Sequence, residues 1–126
     1  QWQRNGTHLF YLDGNVGVGT GAPTEKLSVK GKIRAQEIKV ETANWPDYVF
    51  KRDYPLRSLD SLRAFIAENG HLPDVPKAAT AEADGVALGE MNKLLLKKIE
   101  ELTLYLLDKD KEISEIKAEL KKSKEQ

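Results

Sequence analysis

LGEMNKLLLKKIEELTLYLLDKDKEISEIKAEL, running from Leu88 to Leu120, contains no proline and no glycine beyond Gly89. Its residues are mostly Leu, Lys, Glu, Ile and Asp, largely good helix formers. The apolar residues Leu88, Met91, Leu95, Ile99, Leu102, Leu106, Ile113, Ile116 and Leu120 follow one another at steps of 3, 4, 4, 3, 4, 7, 3 and 4. Lys109 fills the position that the step of seven passes over. This is a heptad seam whose early 3-4-4-3 section locally relaxes the left-handed supercoil. At 1.5 Å per residue the helix spans roughly 50 Å. A domain this small cannot cover that length, so the spacing predicts a parallel oligomer. The alternative is one long helix folded back on its own domain. Isoleucine at several seam positions favours three strands over two.

The helix has two halves. Between Met91 and Leu107 the additional apolar residues Leu94, Leu96, Leu104, Tyr105 and Leu107 widen the stripe, predicting contact with the rest of the chain as well as with a partner. After Asp108 the stripe narrows to Ile113, Ile116 and Leu120 between Lys and Glu, as on a solvated coiled-coil flank. Asp108 and Glu112 are like charges at i, i+4, so the flank is not an optimised ladder of ion pairs.

A chain of 126 residues allows one domain with an appendage, and the part outside the helix is thin in core formers. Formal net charge is zero, which gives no electrostatic case for nucleic acid or an acidic membrane surface. The absence of cysteine excludes disulfides, thiolate metal sites and thiol nucleophiles. No stretch is long and apolar enough to span a bilayer. The chain begins at Gln1 rather than Met, as expected either of a mature product whose signal peptide has been removed or of a piece cut from a longer chain.

Residues 1–43 read as a β stem. Thr7 to Leu12 is β-prone, and Asp13-Gly14-Asn15 is a hairpin-type turn signal. In Val16-Gly17-Val18-Gly19 valine and glycine alternate, a pattern suited to strands crowded around a shared axis. Lys26 to Lys30, Lys32 to Ala35 and Gln36 to Val40 follow as short strands with one apolar face each. Gly17-Val18-Gly19 lacks the third glycine of a dinucleotide fingerprint, and no P-loop lysine follows it. Residues 44–85 form a linking segment. Trp45, Tyr48 and Phe50 are expected to anchor the stem to the helical part by burial, an exposed binding patch being the alternative. Ser58 to Asn69 is a short amphipathic helix capped by Ser58 and stopped by Gly70. His71 to Pro76 is an extended turn fixed by two prolines, and Lys77 to Asp84 holds one loose helical turn. Residues 86–126 are the long helix. The fold class is therefore α+β.

No catalytic constellation stands out. His8 and His71 are far apart and neither has metal-ligand spacing. His71 beside Asp74 more often caps a turn than forms a reacting pair. None of the serines sits in a nucleophile elbow. No enzyme activity, cofactor or metal is expected.

Two stretches carry a resemblance. Gly14-Asn15-Val16-Gly17-Val18-Gly19-Thr20, then Pro23 and Lys26-Leu27-Ser28-Val29-Lys30-Gly31-Lys32-Ile33-Arg34-Ala35, resembles the GNVGIGT-type motif of bacterial and phage tail-fibre-like proteins. Gly70-His71-Leu72-Pro73-Asp74-Val75-Pro76, with Gly85 to Asn92 and Lys97 to Tyr105, resembles the C-terminal region of such secreted proteins in Bacteroidetes. The resemblance implies a homotrimer with three entwined β stems and a C-terminal coiled coil. It also implies export to the cell surface or into an extracellular fibre, with an outer-membrane or fibre protein as candidate partner. The function it implies is that of a structural and attachment module. Two alternatives follow from it: an intramolecular trimerisation chaperone that cuts itself, or an accessory subunit of an outer-membrane secretion or motility complex. Such chaperones cut ahead of a Ser-Asp pair, where this chain has Pro46-Asp47. The nucleophilic hydroxyl is missing, and no catalytic residue is carried over.

Overall fold

The computed structural model describes residues 1–125; Gln126, the last residue of the segment read as helical, lies outside the described residues. Four three-residue strands come first: β1 (Gln3–Asn5), β2 (His8–Phe10), β3 (Val16–Val18) and β4 (Leu27–Val29). Three helices follow, α1 (Leu59–Asn69), α2 (Ala78–Asp84) and α3 (Leu88–Glu125), so the chain is α+β. It divides into two units, Gln1–Lys39 and Val40–Gln126. The expected boundary at residues 43 and 44 moves back because Val40 and Thr42 lie against Gly89 of α3. The segments 44–85 and 86–126, read as separate, share one unit.

In the first unit β1 and β2 pair antiparallel, Gln3 opposite Phe10 and Asn5 opposite His8. The hairpin turn is at Gly6-Thr7, not at Asp13-Gly14-Asn15. Gly6 takes φ 62 at the first central position, which a two-residue hairpin turn reserves for glycine, whereas Gly14 is not in the positive-φ region. Trp2 and Tyr11 meet edge to face behind the hairpin, ring centroids 6.1 Å apart.

β3 and β4 pair in parallel, Val16 opposite Leu27 and Val18 opposite Val29. Parallel neighbours usually need a crossover of about a dozen residues or more. The shorter link, Gly19 to Lys26, suffices because strands this short ask the chain to return only about 10 Å. Ser28 Oγ secures the link by accepting from the amides of Thr24 and Glu25, both at 3.0 Å. The glycines explain themselves locally. A Cβ on Gly17 would lie 2.3 Å from the Thr20 carbonyl oxygen, and Gly19 sits at φ 76 with the Lys30 carbonyl close by. The backbone that approaches Gly17 is thus the chain's own turn.

Lys32 to Val40 forms no strand, contrary to its alternating pattern, and Ile33 and Ile38 are exposed. A strand needs a neighbour for its ladder, and the unit offers this segment none.

In the second unit α1 begins and ends as its sequence dictates. Ser58 Oγ accepts from the Ser61 amide at 3.1 Å, and Gly70 closes the helix in the left-handed conformation at φ 72. Leu59, Leu62 and Phe65 form its half-buried side, and the Arg57 guanidinium lies over the Phe65 ring. The following turn is bent rather than extended. Pro73 supplies the fixed φ of its second position and Asp74 the positive φ, 67, of its third, the signature of a type II turn. Fully buried side chains are few among the described residues: Val49 and Pro46.

Candidate functional site

The faces of α3 have opposite fates. The chain's own contacts fall on Gly89, Lys93, Lys97, Lys98, Glu101 and Tyr105. Gly89 is buried, and the side chains of Lys93, Lys97, Lys98 and Glu101 are between 14% and 21% exposed. Gly89, Lys93 and Lys97 lie roughly half a turn away from Leu95, Ile99, Leu102 and Leu106 at ~100° per residue. The helix therefore turns toward its own chain the side that carries Gly89, Lys93 and Lys97 together with the half-buried Leu94, Leu96 and Leu104, and its apolar seam outward.

The inward side is held by specific partners. Glycine at 89 lets Val40 and Thr42 press against the first turn; a Cβ there would meet Val40 Cγ1 and Thr42 Cγ2 at 2.7 Å. Lys93 donates to the Ala43 carbonyl and pairs with Glu90 at 3.0 Å. Lys97 donates to Asp74 Oδ2 at 3.2 Å, and Lys98 lies 3.7 Å from the same oxygen and 3.1 Å from Glu101. Lys97 also sits over the Tyr48 ring, which leans on Tyr54. Tyr105 donates its hydroxyl proton to the Arg57 carbonyl, tying the entry of α1 to the helix.

The electrostatics follow from this packing. The hydrogen bond from Lys97 holds the Asp74 carboxyl below its ordinary range; desolvation opposes it, and the charges of Lys97 and Lys98 add to it. Burial works to lower the Lys97 ammonium, but the Asp74 hydrogen bond and charge outweigh it and leave the group raised. Burial, reinforced by the Glu101 charge, pushes the Tyr54 and Tyr105 hydroxyls up. His71 takes no part. Its Nδ1 lies 2.8 Å from the Leu72 carbonyl oxygen and its ring stands edge-on to Phe65, while Asp74 is engaged by the lysines.

The outward side is apolar along its length except at Lys109. Leu88, Leu95, Ile99, Leu102, Leu106, Ile113, Ile116 and Leu120 are all at least half exposed, up to 68% at Leu106; Met91 alone of the seam is half-buried. Below Leu106 every described residue of α3 is exposed. Beside the upper seam runs a groove of about 450 Å³. Leu95, Ile99 and Leu102 line it from the helix, with Pro55, Leu62 and Leu72 opposite.

The sequence matches no protein-family model, and neither curated proteins nor solved structures show a significant match to it.

The aromatic anchors need correction. Trp45 and Phe50 remain 55% and 58% exposed, and the residues buried in this stretch are Pro46 and Val49. Tyr48 contributes through its face, under Lys97. Of the stem residues, Val16 and Val18 join the parallel pair, with Gly17 between them and Gly19 at its exit. Sequence reading missed the Asp74 clamp and the Gly89 contact. A glycine in the first turn of an otherwise strong helix was the available signal for the second. Among the described residues no group of three or more His, Cys, Asp or Glu is placed to hold a metal ion, and no described helix is long and apolar enough to cross a membrane.

Proposed function

We propose that this chain is a structural and attachment module of a trimeric tail-fibre-like or cell-surface assembly, exported from the cell, in which α3 drives trimerisation. The observation that carries the reading is the seam left bare in the folded chain while the other side of the same helix, with Lys93, Lys97, Leu94 and Leu104, is covered. From Leu106 to Glu125 every described side chain of α3 is exposed, so this stretch lacks the packing of an apolar face from which helices in proteins draw most of their stability. Covering the exposed remainder of each seam Leu or Ile is worth on the order of 1 kcal/mol. Repeated along the seam, that gain offsets the entropy of bringing chains together. Three associated helices also tether three β units to one another, and each raises the local concentration of the others.

Native mass spectrometry of the purified chain tests this. A threefold mass made of intact chains is the expected result. A monomer at all concentrations overturns the reading, and a threefold mass that releases two fragments replaces it with the self-cutting chaperone.

A further inference from the structure

The groove and the seam share a surface, since Leu95, Ile99 and Leu102 belong to both. Anything that covers the seam at this height also lies against Pro55, Leu62 and Leu72. The occupant's character is set by what continues below. The same seam runs on through Ile113, Ile116 and Leu120, over a stretch of roughly 27 Å from Asp108 to Glu125 at 1.5 Å per residue. An occupant that matches both regions is a long helix with the same heptad pattern. α3 of a second copy is such a helix.

Leu107 identifies which side of that second helix enters. It is 60% exposed and is not a seam residue. At ~100° per residue it lies about a third of a turn from the seam, on the side away from Lys98 and Tyr105, which border the groove. A bare coiled coil has no need of an apolar residue there, because the neighbouring helix does not reach so far round. A wall standing out from the neighbouring helix does. In a parallel, in-register assembly equal residue numbers lie at equal height, so Leu107 falls about 3 Å below Tyr105, at the lower end of the groove.

We infer that the groove wall formed by Pro55, Leu62 and Leu72 in one copy receives the Leu107 flank of α3 from the next copy. The inference rests on the trimer reading and deepens it. The two surfaces in contact are different, so the contact is heterologous and closes by rotation into a ring. Partner choice is then set by the linking segment as well as by the helix seam.

The chain lacks cysteine, which allows a direct test. Copies carrying Leu62→Cys are refolded together with copies carrying Leu107→Cys, oxidised, and analysed without reductant alongside native mass spectrometry. The expected result is an oligomer in which the mixed disulfide exceeds either self-disulfide by at least tenfold. Copies carrying both substitutions are expected to close into a covalent trimer. An oligomer of normal mass in which the mixed disulfide does not predominate overturns this inference and leaves the seam reading standing. A monomer in both wild type and variants overturns the two together.

Discussion

Asp74 and Lys97, 23 positions apart in sequence, are joined by a 3.2 Å contact between Oδ2 and Nζ. The left-handed backbone at Asp74 turns the chain so that one carboxylate faces two successive lysines of α3. Replacing Asp74 by Asn keeps the turn, because Asn tolerates positive φ, and removes the charge. Denaturant melts of Asp74→Asn are expected to show a loss of about 1 kcal/mol or less, as for partly exposed pairs. Asp74→Ala is expected to lose a further ~1 kcal/mol from backbone strain.

The same pair fixes a pH dependence. The Asp74 carboxyl is depressed in the folded chain, chiefly by the Lys97 hydrogen bond. Its contribution is present above the unfolded value, about 3.9, and is lost as pH falls through the lower folded value. Lys97 is raised, so its contribution is present below about 10.4 and is lost as pH rises through the folded value. Thermal midpoints of wild type and Asp74→Asn should differ by a constant amount between these limits and converge at the acid end. A difference that peaks near neutrality would contradict the assignment.

Gly89→Ala sets two effects against each other. Alanine has the higher helix propensity, a gain of ~1 kcal/mol in a helix interior and smaller in the first turn, where Gly89 sits. The added methyl, however, meets two stiff, β-branched side chains, Val40 and Thr42, at 2.7 Å. Overpacking of this kind costs about 1–3 kcal/mol. The variant is therefore expected to be less stable in urea, and Val40→Ala in the same chain should recover part of the loss.

Ile113→Asp with Ile116→Asp separates assembly from folding. Both residues lie where α3 touches nothing else in its chain. Sedimentation should show loss of the oligomer, and circular dichroism a loss of helix confined to roughly the last 20 residues. Retained native mass would defeat the seam as the driving contact.

Gly17→Ala probes the first unit. Its methyl would be driven into the Thr20 carbonyl, a backbone atom that cannot swing aside. The turn between β3 and β4 should open, and protease cleavage between Gly19 and Lys26 should accelerate, with α1 unaffected. Equal cleavage rates would show that Gly17 is not under this constraint.

The elements that were legible in the sequence were those with a local cause. Ser58 and Gly70 delimit α1 through their own hydrogen bond and dihedral, and α3 follows from the run of helix formers after Leu88. The misread elements depend on distant partners. Alternation in Lys32 to Val40 signals a strand only where a neighbour exists. The aromatic stretch from Trp45 to Phe50 was read by side-chain size, although the fold encloses the smaller Pro46 and Val49. The clamp at Asp74 was invisible because nothing in a lysine pair announces a carboxylate 23 positions earlier.

Because the lower half of α3 is exposed along its whole described length, the proposed assembly makes its burial depend on how many other chains are nearby. In the assembly proposed above the C-terminal halves of α3 zip together as copies accumulate, which makes its onset a threshold in protein concentration rather than a property of any single molecule.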